Sequence, residues 1–146
     1  MRKKTVLFPI EIKARELNSK ILLALQCAKR GMRAYIGSKT SINQLYPKLE
    51  SSIFFYKSGD RDDRIKNIKK YCSHFVVMDE EVGPAIPNDF ICKTLKNRMR
   101  KDSIPLIDKF FVIGEKYREC AQKIYNKCEE DVIASGWPRI ELWRKE

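Results

Sequence analysis

Residues 5–37 have the sequence T-V-L-F-P-I-E-I-K-A-R-E-L-N-S-K-I-L-L-A-L-Q-C-A-K-R-G-M-R-A-Y-I-G. The first six, Thr5–Ile10, form a short apolar run of the kind that predicts a buried strand. Residues 14–30 then carry apolar side chains at helical spacing, and Gly31 is well placed to end that helix. Residues 34–37 predict a second short strand. This stretch therefore predicts a strand–helix–strand unit.

The apolar residues of the predicted helix form one stripe, made by Leu17, Ile21 and Leu25 with Ala24 and Ala28. Such a stripe marks the face with which a helix packs on the rest of a fold. We therefore expect this face to enter the core.

The same alternation continues along the chain. Further strands are predicted at residues 53–56, 75–78, 110–113 and 131–134, and intervening helices at residues 60–71, 90–101 and 115–128 among others. Strands that alternate with helices favour right-handed crossovers and a parallel sheet. The predicted fold class is α/β, a Rossmann-like, doubly wound, mostly parallel sheet of about six strands with helices on both faces. We expect one domain over residues 1–136, with residues 137–146 starting a linker or helix toward a second domain that the chain lacks.

The amino-acid composition limits the classes of protein to which the chain can belong. The 146 residues are 43% hydrophobic and 34% charged, which is typical of a soluble folded domain. The apolar runs fall far short of the roughly 20 residues that cross a bilayer. The net charge of +11 predicts an anionic partner, whether nucleic acid, an acidic membrane surface or a phosphate-bearing ligand. We expect a cytoplasmic location, and a peripheral position on the inner face of the membrane fits the charge.

Cysteine and histidine usage points away from metal sites. A single histidine excludes a multi-histidine site, and the cysteines contain no C-x-x-C pair. Buried free thiols are favoured over a zinc site or a disulfide framework, for Cys27, Cys72, Cys92, Cys120 and Cys128. The G-x-G-x-x-G fingerprint is absent after the first strand, so neither NAD nor FAD is expected. The sequence predicts no metal and no cofactor.

Charged side chains follow two of the predicted strands. Glu11, Lys13, Arg15 and Glu16 come directly after the first strand, at the edge of a parallel sheet where ligands gather. Their mixed charges suit a polar or phosphorylated ligand, although an ion-pair cluster that solvates the loop is the plainer alternative. The run Asp79–Glu81 ends the fourth strand, and one of its carboxylates is a candidate base toward a hydroxyl. Acids favoured by the dipole of a following helix are the alternative there.

A basic run lies in the predicted helix over residues 90–101. Its members are Lys93, Lys96, Arg98, Arg100 and Lys101, and they are predicted to form a patch for a membrane surface or another anion. A solvated helix face is the alternative. No Arg-Gly repeat or aromatic RNA-binding signature accompanies the run, so nucleic acid is a disfavoured partner.

Five motifs occur in an order that points to a family. They are F-P-I-E-I-K-A-R-E-L-N-S-K at 8–20, Y-I-G at 35–37, M-D-E-E at 78–81, F-F-V-I-G-E at 110–115 and S-G-W-P-R-I-E at 135–141. Together they resemble the amino-terminal half of bacterial surface carbohydrate biosynthesis proteins, which are similar to two-domain glycosyltransferases of the GT-B type. The resemblance spans nearly the whole chain.

The resemblance implies transfer of a sugar from a nucleotide donor to a glycan or lipid-linked acceptor, in surface polysaccharide or lipopolysaccharide biosynthesis. The nucleotide sugar is expected to bind through a second domain or a partner chain. Glu11 and Glu80 are the implied catalytic acids, and Lys13, Arg15 and Lys20 the implied ligands for anionic groups. The other implied substrate-binding residues are Glu16, Gly37, Asp79, Glu81, Gly114, Glu115, Gly136 and Arg139.

Two other functions fit the sequence. The chain is alternatively a non-catalytic Rossmann-like binding module or partner subunit, which the lack of a donor domain favours. A basic nucleic-acid-binding protein is the less favoured alternative, because it rests on charge alone.

Overall fold

The computed structural model describes residues 3–79, 86–127 and 129–144. The strands are β1 (Thr5–Ile10), β2 (Arg33–Ser38), β3 (Ser52–Tyr56), β4 (Cys72–Met78), β5 (Lys109–Val112) and β6 (Val132–Ala134). The α-helices are α1 (Lys13–Lys29), α2 (Lys39–Leu45), α3 (Asp62–Lys69), α4 (Asn88–Arg98), α5 (Glu115–Tyr125) and α6 (Pro138–Trp143). Short 3₁₀ helices occur at Tyr46–Lys48, Lys101–Leu106 and Glu129–Asp131.

The six strands form one all-parallel sheet in the order β2-β1-β3-β4-β5-β6. This arrangement confirms the predicted Rossmann-like α/β class. The order places the topological switch point between β1 and β3, because the chain leaves β1 toward β2 and then returns to the other side of β1. In open parallel sheets, ligands bind beyond the carboxyl ends of the strands at such a point.

The chain divides into two compact units. The first unit comprises residues 1–55, 67–74 and 138–146, and the second comprises residues 56–66 and 75–137. In the first unit, Phe8 is buried and its ring centroid lies 5.2 Å from that of Phe55. Tyr46 packs edge-on against Phe54 at 5.8 Å. Because Phe54 and Phe55 are consecutive residues of β3, their side chains point to opposite faces of the sheet, so the two contacts pack one face each.

In the second unit, the core forms around β4 and β5. Phe75, Val77 and Phe110 are almost completely buried, and the ring of Phe110 lies 5.9 Å from that of Tyr125 in α5. The backbone N–H of Phe75 donates to the Asp108 carboxylate at 2.7 Å. That bond ties the residue before β5 to the middle of β4.

A disulfide joins α4 to α5 within the second unit, which corrects the expectation that all five cysteines are free thiols. Cys92 and Cys120 are bonded, with their Cα atoms 5.1 Å apart. The prediction fails because spacing along the chain does not reveal that the two helices pack side by side. Cys27 and Cys72 are free, and burial raises the pKa of both thiols.

Helix α1 faces the core with polar side chains, which is the reverse of the expected stripe. Glu16, Ser19 and Lys20 are its buried residues. Ile21 and Leu25 are 41% and 55% exposed. The stripe predicted to enter the core therefore lies largely on the outside of the first unit.

Helices of the described ranges are each too short or too polar to cross a lipid bilayer.

We expect the double substitution Cys92→Ala, Cys120→Ala to lower the free energy of unfolding by about 3 kcal/mol. The bond closes a loop with a sequence separation of 28 residues, and its loss frees the unfolded chain. Urea unfolding of the oxidised protein measures the effect, with Cys27→Ala as the control because Cys27 is a half-buried free thiol. Equal unfolding midpoints with and without reductant would show that the two sulfurs are not bonded.

Candidate functional site

The turn between β1 and α1 is held by the carboxylate of Glu16. Its Oε2 accepts the backbone N–H of Glu11 at 3.0 Å and its Oε1 accepts that of Ile12 at 3.4 Å. Ile12 occupies the N-cap position of α1 and supplies no side-chain cap. Glu16 therefore satisfies backbone donors at the start of the helix, in the manner of the acidic member of a capping box.

Glu16 and Lys20, both predicted to bind substrate, lie in the interior of the first unit. They are 1% and 0% exposed. Arg15 donates to Glu16 Oε1 at 3.2 Å, while Lys20 Nζ lies 4.9 Å from the ring centroid of Phe55, within cation–π range. Glu16 and Lys20 therefore have a structural role, which is to hold the first two turns of α1 against the core of the first unit.

Glu11, Lys13 and Gly37 are brought together by the structure. They line a pocket of about 260 Å³ at the carboxyl ends of β1 and β2, whose other lining residues are Ile10, Leu17, Ile36 and Ser38. Its volume lies just below the roughly 300 Å³ at which ligand pockets begin, so it can hold one small polar group such as a sugar ring.

Lys39 completes the polar wall beside this pocket. Its Nζ lies 2.6 Å from Glu11 Oε1, and the two side chains are 37% and 29% exposed. Lys39 was not predicted from the sequence, although the pairing of β1 with β2 provides the signal. Ile10 pairs with Ser38 across the parallel strands, so the residue after each strand lies beside the other.

The pocket and the Lys39 side chain beside it together provide both hydrogen-bonding roles. The Glu11 carboxylate accepts hydrogen bonds and the Lys39 ammonium donates them, while Ile10, Leu17 and Ile36 supply apolar contact. A hydroxyl-rich ligand needs both roles together with an apolar surface for its ring faces.

Asp79 lies in the second unit, where it follows β4. It is 3% exposed, and its two carboxylate oxygens accept from Arg98 Nε at 2.5 Å and from Arg98 Nη2 at 2.7 Å. Arg98, predicted to belong to the basic patch, thus directs its guanidinium at a buried carboxylate. The other patch members, Lys93, Lys96, Arg100 and Lys101, are exposed.

The negative charge of Asp79 affects the pKa of two tyrosines of α5. Burial raises the pKa of Tyr117, and the negative charge of Asp79 raises it further. Burial and Asp79 likewise raise the pKa of Tyr125, with partial opposition from Arg98. The hydroxyl of Tyr125 donates to the Leu95 carbonyl at 2.5 Å. Both phenols therefore stay protonated well above neutral pH.

The other described residues that were predicted to bind substrate lie in or next to α5 and α6. Gly114 is the N-cap residue of α5, and Glu115 pairs with Arg118 at 2.7 Å. Gly136 has a φ of +77°, in the left-handed region that favours glycine. Arg139 is half-buried in α6. Glu80 and Glu81 lie outside the described residues.

Glu16→Gln is expected to lower the free energy of unfolding by about 2 kcal/mol, because charge-assisted hydrogen bonds to two backbone donors are weakened in a buried place. Glu11→Gln, five residues earlier in the same turn, should cost less than about 1 kcal/mol, since its ion pair is partly exposed. Chemical unfolding of both variants makes the comparison. Equal effects would contradict the structural assignment of Glu16.

Alkaline pH should destabilise the protein through Tyr125. Its folded-state pKa is raised, so the unfolded phenol releases its proton first, near pH 10, and stability falls as the pH rises beyond that value. Urea unfolding across this range should show a smaller decline in Tyr125→Phe than in the unmodified protein. Tyr71→Phe, at a 44% exposed ring, is the control and should leave the decline unchanged.

Comparison of the chain with protein families, with curated proteins and with solved structures finds no match in any of the three. The family resemblance therefore rests on the sequence motifs themselves. What it implies about activity is a proposal, which the pocket geometry makes testable.

Proposed function

We propose that the chain is the acceptor-binding Rossmann-like domain of a GT-B-type glycosyltransferase of surface polysaccharide or lipopolysaccharide biosynthesis. The observation that carries the proposal is the Glu11–Lys39 pair beside a small pocket at the carboxyl ends of β1 and β2. The five ordered sequence motifs support it, since the first of them contains Glu11 and Lys13 and the second contains Gly37.

In this proposal, Glu11 acts as the general base. Its carboxylate takes the proton of an acceptor hydroxyl, and the resulting oxygen nucleophile attacks the anomeric carbon of the donor sugar. The bond from that carbon to the nucleotide phosphate breaks, and the nucleotide leaves with the electron pair. Lys39 and Lys13 orient the acceptor and its anionic groups. The nucleotide sugar binds through another domain or a partner chain.

The position of Glu11 at the carboxyl end of β1 also supports this function. Glu11 follows β1, which borders the topological switch point of the sheet. Side chains at this edge lie above the core rather than in it, so charged groups are tolerated there without loss of packing. The predicted peripheral association with an acidic membrane surface is compatible with a lipid-linked acceptor.

Binding of simple saccharides tests the proposal. Methyl glycosides of glucose, galactose, mannose and N-acetylglucosamine are titrated into the protein, and amide shifts in NMR spectra report the contact site. At least one glycoside should shift Gly37 and Ser38, which line the pocket. Glu11→Gln and Lys39→Ala should weaken that binding about tenfold, because each removes a charged hydrogen-bonding partner.

The controls for this experiment are Lys48→Ala and Glu50→Gln, at exposed positions outside the pocket lining. Binding that survives Glu11→Gln unchanged, or that shifts amides elsewhere, would contradict the acceptor site. Release of a nucleoside diphosphate from nucleoside-diphosphate sugars in the presence of the bound glycoside would favour an enzyme over the alternative, a binding module.

A further inference from the structure

The net charge of the protein is confined to the first unit. That unit holds 16 of the 30 Lys and Arg residues but 5 of the 19 Asp and Glu residues, which leaves it at +11. The second unit holds 14 of each sign and is neutral. Attraction to an anionic partner is therefore a property of the first unit, whereas the predicted basic run at residues 93–101 belongs to a unit whose charges cancel.

Acids are few in the first unit, and of those at its described surface Glu11 and Glu141 are paired with cations. Glu16 is the one acid of α1, and it is buried. Glu11 is paired with Lys39, and Glu141 of α6 is paired with Arg144 at 3.3 Å. The exposed surface of α1 consequently presents cations and apolar groups without a carboxylate.

An apolar groove lies on this same surface, between α1 and α6. Its volume is about 380 Å³, and it is lined by Asn18, Ile21, Leu22 and Leu25 of α1 with Leu142 and Trp143 of α6. Leu25 and Trp143 are 55% and 72% exposed, the two highest values among the large apolar side chains described, and Ile21 is 41% exposed. We call this surface the α1–α6 face. It concentrates exposed apolar side chains in one place.

We propose that the α1–α6 face docks on the surface of an anionic lipid bilayer. Tryptophan, leucine and isoleucine beside lysine and arginine are the residue types of interfacial membrane contact, in which apolar side chains enter the headgroup region and cations remain at the phosphates. Lys29 lies one turn beyond Leu25 on α1, and Arg144 follows Trp143, so cations lie close to the apolar side chains. The charge of +11 supplies the long-range attraction.

Charge also argues against a second copy of this chain as the occupant. A symmetric dimer through the α1–α6 face would bring two units of +11 together. Like charges at an interface oppose association, whereas anionic phospholipids neutralise them. This inference is independent of the proposed glycosyltransferase function, because the face and the Glu11 pocket are lined by different residues and can fail separately.

Vesicle binding tests the inference with a matched pair of variants. Leu25→Glu places a carboxylate in the groove, and Phe90→Glu places one on α4 at a side chain that is 54% exposed. Vesicles of phosphatidylglycerol with phosphatidylcholine should bind the unmodified protein and Phe90→Glu, while phosphatidylcholine alone should not. Leu25→Glu should weaken the binding about tenfold or more, because it removes an exposed leucine that enters the headgroup region in the bound state and adds a charge that anionic lipids repel.

The fluorescence of Trp143 gives a second readout. The chain has two tryptophans, and Trp143 is 72% exposed, so its emission should shift to the blue on anionic vesicles and this shift should vanish in Trp143→Phe. Added salt should weaken the binding, since screening shortens the electrostatic attraction.

Several results would overturn the inference. They are vesicle binding that Leu25→Glu leaves unchanged, binding that Phe90→Glu or Arg100→Ala abolishes, or no binding to anionic vesicles at all. A dimer in lipid-free solution that Leu25→Glu dissociates, detected by light scattering, would assign the face to a second copy of the chain. Circular dichroism spectra and urea midpoints close to those of the unmodified protein confirm that the variants are folded.

Discussion

The buried carboxylate of Glu16 fixes the rotation of α1, and much of the first unit depends on that rotation. Because Glu16 accepts backbone hydrogen bonds from the turn after β1, its side of the helix must face inward. Leu25 lies nine residues later, and nine steps of about 100° place it on the opposite side of the helix. The same bonds that shape the turn therefore turn the apolar stripe outward, where solvent exposure of leucine is unfavourable unless another surface covers it.

The second unit is organised by links of a different kind. A disulfide connects α4 and α5, and the bidentate pair of Asp79 and Arg98 connects the end of β4 to α4. Removing either partner of such a pair would leave a buried charge without its counterion, which is strongly unfavourable. Asp79 thus has a structural role that accounts for its burial, whereas Glu11 is held at the surface beside a pocket. Asp79 and Glu11 each follow a parallel strand, but Asp79 is buried in an ion pair and Glu11 lies at the surface.

Local pattern was sufficient to predict the six strands, their parallel arrangement and the α/β class, because buried strands leave apolar runs that need no tertiary information. The rotation of α1 could not be predicted, because the spacing of apolar residues does not show that backbone N–H groups before the helix bond to Glu16 and bury it. Lys39 was missed for a related reason: it meets Glu11 through strand register, across 28 residues of sequence. The Cys92–Cys120 disulfide could not be predicted, because the sequence does not show which helices pack together. Glu11, Lys13 and Gly37 were predicted because position at a strand end is itself a local signal.

The unequal division of charge has a consequence for how the protein responds to its ionic surroundings. Within the first unit, lysines and arginines outnumber acids by 11 and repel one another over distances of a Debye length, about 8 Å at physiological ionic strength. Dissolved ions screen the repulsion between these like charges and so stabilise the first unit. The second unit has no net charge, so salt should stabilise it little. Electrolyte concentration thus acts as a selective stabiliser of one half of the chain.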